Sequence, residues 1–164
     1  VEYKIPPYAF VNQDSTVITE KDVEGKIYVA DFFFTTCPSI CPKMSAEMVR
    51  IHDEFIDEDS VVLLSYSIDP KYDTVAVLKD YATKLNVTTS KWHLLPTKEA
   101  EKVYDIAFAY MVNAVKDEKA TGGILHSGAF VLVDTQRRVR GFYDGTIPEE
   151  VDRLMGDMRR LLKE

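Results

Sequence analysis

Two runs of the chain, Ile27-Tyr28-Val29-Ala30-Asp31-Phe32-Phe33-Phe34 and Val61-Val62-Leu63-Leu64-Ser65-Tyr66-Ser67-Ile68, are nearly continuous apolar stretches. A strand with one wet face alternates apolar and polar residues. Unbroken runs belong in a parallel sheet covered on both faces. A helical pattern follows each run. After Pro42, Met44, Met48, Ile51 and Phe55 recur at helical spacing; after Asp69-Pro70 come Val75, Leu78, Ala82 and Leu85. Strands alternating with helices predict an α/β domain.

The rest of the chain completes this order. Val1 to Asp14 reads as an extended lead-in, Asn12 to Ser15 as a turn, and Val17-Ile18-Thr19 as a short strand. Trp92-His93-Leu94-Leu95 is a short strand before Pro96, and Thr97 caps a helix carrying Val103, Ile106, Ala107 and Tyr110. Ala129 to Asp134 and Val139 to Tyr143 form a hairpin around Thr135-Gln136-Arg137-Arg138. Thr146-Ile147-Pro148-Glu149 reads as a capping box, opening a last helix with Val151, Leu154, Met155, Met158, Leu161 and Leu162 on its apolar side. The expected architecture is a single thioredoxin-like α/β domain over residues 1–164. Its central sheet is mixed and mainly parallel, flanked by helices and closed by a C-terminal hairpin.

Composition narrows the function. The 164 residues are 46% hydrophobic and 29% charged, as in an ordinary globular domain. A net charge of −7 disfavours a nucleic-acid partner. The chain begins at Val1 without Met or a signal-like segment, so a processed chain is expected, with any signal or anchor preceding it. Two cysteines are too few for a disulfide scaffold and read as a site.

Both cysteines lie in Phe34-Thr35-Thr36-Cys37-Pro38-Ser39-Ile40-Cys41-Pro42. Sites in open α/β sheets gather at the carboxyl ends of strands, where Cys37 and Asp69 fall. Sulfurs at i and i+4 on a helical turn share a face, and a helix N-terminus favours thiolates. The pair can close as a disulfide or hold one soft ion, and two thiolates suit Cu(I).

A third donor would come from the histidines. His52 lies eleven residues past Cys41 on one helix, out of reach at about 1.5 Å per residue, and reads as a solvated helix residue. His93 reads as a packing or surface residue. His126, after Gly122-Gly123, opens the hairpin strand, which in such a sheet starts facing the cysteine loop. Position alone leaves it either a ligand or an ordinary strand histidine. Cys37, Cys41 and His126 make three donors where structural zinc takes four, which argues for copper or for a metal in transit. Met44, Met48, Met155 and Met158 read as packing, and Asp57-Glu58-Asp59 as a solvated helix end.

Three segments resemble the SCO/SenC proteins. The cysteine loop resembles their F-T-x-C-P-x-x-C-P signature, Ser67-Ile68-Asp69-Pro70-Lys71-Tyr72-Asp73-Thr74 their D-P-x-R-D-T segment, and His126 to Asp134 their H-S-x-x-x-Y-L-x-D segment. The resemblance implies a copper-binding protein, with Cu(I) or Cu(II), that helps assemble the binuclear copper centre of cytochrome c oxidase. It implies an extracytoplasmic, usually membrane-anchored chain whose partners are the copper-accepting oxidase subunit and another copper chaperone. Cys37, Cys41 and His126 would be the ligands, and Asp69 a supporting residue. Tyr72 replaces the usual arginine, and Leu125 stands where many members carry Asp.

The rival reading is thiol-disulfide exchange, with Cys37 and Cys41 as the redox pair and Asp31 as proton acceptor. Asp31 has the spacing of the buried aspartate of thioredoxins, and an Asp in an apolar strand needs a partner or a task. Against simple thioredoxin activity stand the C-x-x-x-C spacing and the lack of any proline between Pro96 and Pro148. A peroxidase of related fold and a purely structural disulfide are weaker alternatives.

Overall fold

A computed structural model describes residues 9–36, 40–69, 71–96 and 128–164. Its elements run β1 (Ala9–Val11), β2 (Val17–Thr19), β3 (Ile27–Phe33), α1 (Ile40–Glu54), β4 (Val61–Ser67), α2 (Val75–Lys84), β5 (Trp92–Leu95), β6 (Ala129–Val133), β7 (Val139–Asp144) and α3 (Pro148–Leu161). The helix expected after Thr97 lies outside the described residues.

Five strands form one sheet in the order β5-β4-β3-β6-β7. β3 pairs parallel with β4, from Ile27↔Val61 to Phe33↔Ser67, and β4 pairs parallel with β5. β6 joins β3 antiparallel, and β7 closes the hairpin. The sheet is therefore mixed, as the strand patterns require. All seven residues of β3 and all seven of β4 are buried, which explains why neither run alternates.

Alternation along each strand divides the core into two layers. Ile27, Val29, Phe33, Val61, Leu63, Trp92, Phe130 and Leu132 face the helices and pack with Cys41, Met44, Met48, Ile51, Leu78, Leu154 and Met158. Each such side chain, fully buried, contributes about 1.5–3 kcal/mol. The four methionines expected to pack do so. On the other face Tyr28, Ala30, Phe32, Val62, Leu64 and Tyr66 pack with Ile18 and Val23. Phe32 stacks on Tyr66 at 5.4 Å, and Phe10 meets Tyr66 edge-on at 5.7 Å.

Three details depart from the sequence reading. Part of the extended lead-in is a strand: β1 pairs antiparallel with β2 in a two-stranded sheet. The turn between them docks on β5. Gln13 Nε2 donates to Trp92 O at 2.9 Å, and Leu94 N–H donates to Gln13 Oε1 at 2.8 Å. That side chain satisfies backbone groups an edge strand would otherwise leave open. The capping box at Thr146 does not form. Ile147 is the N-cap of α3, with no side-chain bond, because the Thr146 hydroxyl donates to Asp144 Oδ1 at 2.5 Å. Pro148 does occupy the first turn. His52 is the third departure: it is 2% exposed, with Nε2 2.8 Å from Thr89 Oγ1. The helix turns it inward towards Trp92, at 5.9 Å between rings, so it is not solvated.

Candidate metal and thiol site

Parallel pairing brings the carboxyl ends of β3 and β4 together, with Ile68 N–H donating to Phe33 O at 2.8 Å. The cysteine loop leaves the sheet at this rim through Thr35 and Thr36, and α1 begins at Ile40. Cys41 therefore sits in the first turn of α1. It is 4% exposed and belongs to the core layer of Phe33 and Met44. Pro42 fits there because first-turn N–H groups make no bond within the helix. Cys37 and His126, the other two expected ligands, lie outside the described residues, as does Leu125.

β6 runs antiparallel to β3, from Tyr28↔Val133 to Ala30↔Val131, so its start points to the carboxyl end of β3. Gly128, immediately before β6, adopts φ +79°, and a Cβ there would lie 3.8 Å from Met44 Sδ and 3.0 Å from Thr146 Cγ2. The chain two residues past His126 is thus pressed against α1, one turn beyond Cys41. A side chain at 128 would be strained by conformation and crowded by contact.

Asp31 occupies the middle of β3, 3% exposed. Alternation sends it to the face of Val29 and Phe33, the layer that also holds Cys41. Ser65, its neighbour across the β3–β4 pair, donates its hydroxyl to Asp31 Oδ1. Trp92 Nε1–H donates in turn to Ser65 Oγ at 3.0 Å. Burial pushes the Asp31 carboxyl up to about 7, against the opposing pull of the Ser65 bond. Such a group can exchange a proton near neutral pH, as a thiol switch requires.

Sequence reasoning singled out Asp69 in the second motif. Among the described residues its carboxylate reaches only its own turn, where Tyr72 N–H approaches Oδ1 at 3.4 Å. Asp73, four residues on, is 1% exposed and was missed. Its Oδ2 accepts from Ser67 Oγ at 2.7 Å and from Thr35 N–H at 3.1 Å, and its Oδ1 accepts from the Thr35 hydroxyl. The signal available was its place in the motif, beside the helix-capping Thr74, whose hydroxyl takes Val77 N–H at 3.3 Å. Tyr72 stands 54% exposed on the same rim.

The remaining histidine candidate is away from the rim. His93 is 8% exposed, with Nδ1 3.1 Å from Asn12 Nδ2, a packing role as expected. Among the described residues, no three of His, Cys, Asp and Glu stand together as a metal cluster.

Comparison with known proteins fits this frame. The SCO1/SenC family model matches residues 2–163. A SCO1/SenC family lipoprotein from Bacillus anthracis str. Ames is 29% identical, with a TM-score of 0.81 over 98% of this chain and 95% of that one. BsSco, a member of the Sco family of cytochrome c oxidase assembly proteins in which a disulfide switch was identified, is 26% identical. Its TM-score is 0.81, over 98% of this chain and 94% of its own. Arabidopsis thaliana ScoI, solved with copper bound, shares the fold at 24% identity and a TM-score of 0.71, over 96% of this chain and 97% of that one. The fold is the thioredoxin-like α/β fold of these proteins, and the chain belongs to the SCO1/SenC family.

Proposed function

We propose that this protein is a copper-binding metallochaperone that serves the assembly of the binuclear copper centre of cytochrome c oxidase. The observation that carries the reading is family membership across residues 2–163, joined to a C-x-x-x-C loop whose second cysteine opens α1. Copper is cargo in this account. Cys37 and Cys41 supply two soft thiolates and His126 an imidazole, with Asp69 supporting the rim; such a donor set suits copper better than zinc. The lipoprotein relative and the oxidase-assembly relative support an extracytoplasmic, anchored chain that hands copper to an oxidase subunit. No helix among the described residues is long and apolar enough to cross a membrane.

The test is an anaerobic titration of the reduced protein with copper(I). One equivalent is expected to bind tightly to wild type and at least about a hundredfold more weakly to His126→Ala, since losing even the outer partner of a ligand costs about tenfold to a hundredfold. Equal affinities would remove His126 from the site.

A second reading, thiol-disulfide exchange with a copper-protein partner, is favoured by Asp31, a buried carboxyl with a raised pKa on the face that α1 covers. Cys37 and Cys41 would give up two electrons and two protons to form a disulfide, while the partner's disulfide takes them up as two thiols. Asp31 would accept the Cys41 proton. Asp31→Asn should then slow reduction of an oxidised copper-site partner by about a hundredfold, the lower end of general base effects. Wild-type protein without turnover would end this reading.

A further inference from the structure

We infer that Asp73 is the positioning residue of the cysteine loop, holding the segment that leads from β3 into Cys37 through its bonds to Thr35. The inference rests on Cys37 and Cys41 being the working pair.

Three donors converge on this carboxylate from the ends of two neighbouring strands. Ser67, the last residue of β4, donates to Oδ2 at 2.7 Å, and Thr35, two residues past β3, donates N–H to the same oxygen at 3.1 Å. The Thr35 hydroxyl takes Oδ1. A carboxylate offers about four lone-pair sites, so most of its capacity is spent on this joint. Asp73 is itself held, its N–H donating to Asp69 O at 2.9 Å in the turn before α2. The second sequence motif thereby grips the first: Ser67, Asp69 and Asp73 belong to one, Thr35 to the other. Asp69 braces its own turn, while the Asp73 side chain crosses to the loop.

Such a grip sets the direction in which the chain leaves the sheet before Cys37. That direction governs how readily its sulfur meets the sulfur of Cys41, which α1 holds. The effective concentration of one thiol at the other is the measurable consequence, and thiol–disulfide exchange reads it without metal. Two protein thiols and one oxidised glutathione give one protein disulfide and two reduced glutathiones.

The experiment equilibrates the chain with glutathione buffers in the absence of copper and quantifies the Cys37–Cys41 disulfide. Asp73→Ala is expected to lower the effective concentration about tenfold, which corresponds to about 30 mV for this two-electron couple. Asp73→Asn keeps an acceptor for Thr35 N–H and Ser67, and should stay within about threefold of wild type. Thr35→Val removes one bond of the grip, keeps the probe usable if Asp73→Ala fails to fold, and should cost about threefold. Added to Asp73→Ala, it should cost nothing further. A wild-type value for Asp73→Ala, a value for Asp73→Asn as low as for Asp73→Ala, or an equal shift from Asp69→Ala would overturn the assignment. Copper titration of the same variants separates the two readings. A chain that binds no copper yet shows this series loses the chaperone reading alone. A chain that binds copper tightly with a flat series loses the positioning role alone.

Discussion

Asp31 lies on a strand whose seven residues are all buried, and Ser65 supplies the hydroxyl that reaches it. Its carboxyl is raised from 3.8 to about 7. A raised carboxyl keeps its proton more firmly in the folded chain than in the unfolded one. Its contribution to stability is therefore full below about 3.8 and is lost as pH rises through about 7. Asp31→Asn removes that loss and keeps an acceptor for Ser65. Thermal melts are expected to show the variant melting on the order of 10 °C above wild type at pH 8 and within about 2 °C of it at pH 4. Parallel curves at both pH values would mean that Asp31 does not titrate in this range. His93 acts with the opposite sign. Asn12 Oδ1 is engaged by Asp14 N–H at 2.9 Å and Thr16 N–H at 3.0 Å, so the Asn12 amide group donates to His93 Nδ1. Burial holds the imidazole below its ordinary pKa, and its contribution is lost as pH falls through that lowered value.

At the level of elements, α3 was recognisable from periodicity alone. Val151, Leu154, Met155, Met158 and Leu161 recur on one face, and all five are buried. Its first turn was not, because a capping box depends on where one hydroxyl points. Thr146 lies one residue too early and is claimed by Asp144, leaving Ile147 as a cap without an acceptor. Ile147 is 42% exposed and has a β-region backbone, φ −113° and ψ 111°, suited to a capping side chain. Ile147→Asp should stabilise the fold by about 0.5–1 kcal/mol, raising Tm by about 1–4 °C. A melting temperature below wild type would show that the Ile147 side chain does more for packing than its exposure suggests. The docking of Gln13 on β5 escaped the sequence for a similar reason. Its partners, Trp92 and Leu94, are some eighty residues away and are bonded through backbone atoms that leave no mark on side-chain identity.

For the whole molecule, copper held at the proposed site would be linked to folding. Cys41 is a core residue of the helix-bearing layer, so a ligand held there is bound by the folded chain and lost on unfolding. Reduced protein with free copper(I) at about a hundred times Kd should gain about 2.7 kcal/mol, or about 5–11 °C in Tm. The oxidised chain should gain nothing, since a disulfide offers no thiolate. An equal rise in both forms would place the copper elsewhere.

Patterning along the sequence was enough for the strands β3 and β4, their helices, the closing hairpin and the family, because period and motif are local properties. Solvent exclusion on both faces of a central strand writes itself into an unbroken apolar run, and a helix into a spacing of three and four. The inward turn of His52, the division of labour between Asp69 and Asp73, and the Trp92–Ser65–Asp31 chain are different in kind. They depend on which side chains meet across neighbouring strands, a matter of register and rotamer. Asp69 and Asp73 are the same residue type four positions apart. Only the pairing of β3 with β4 brings Thr35 to one of them, and with it the cysteine loop.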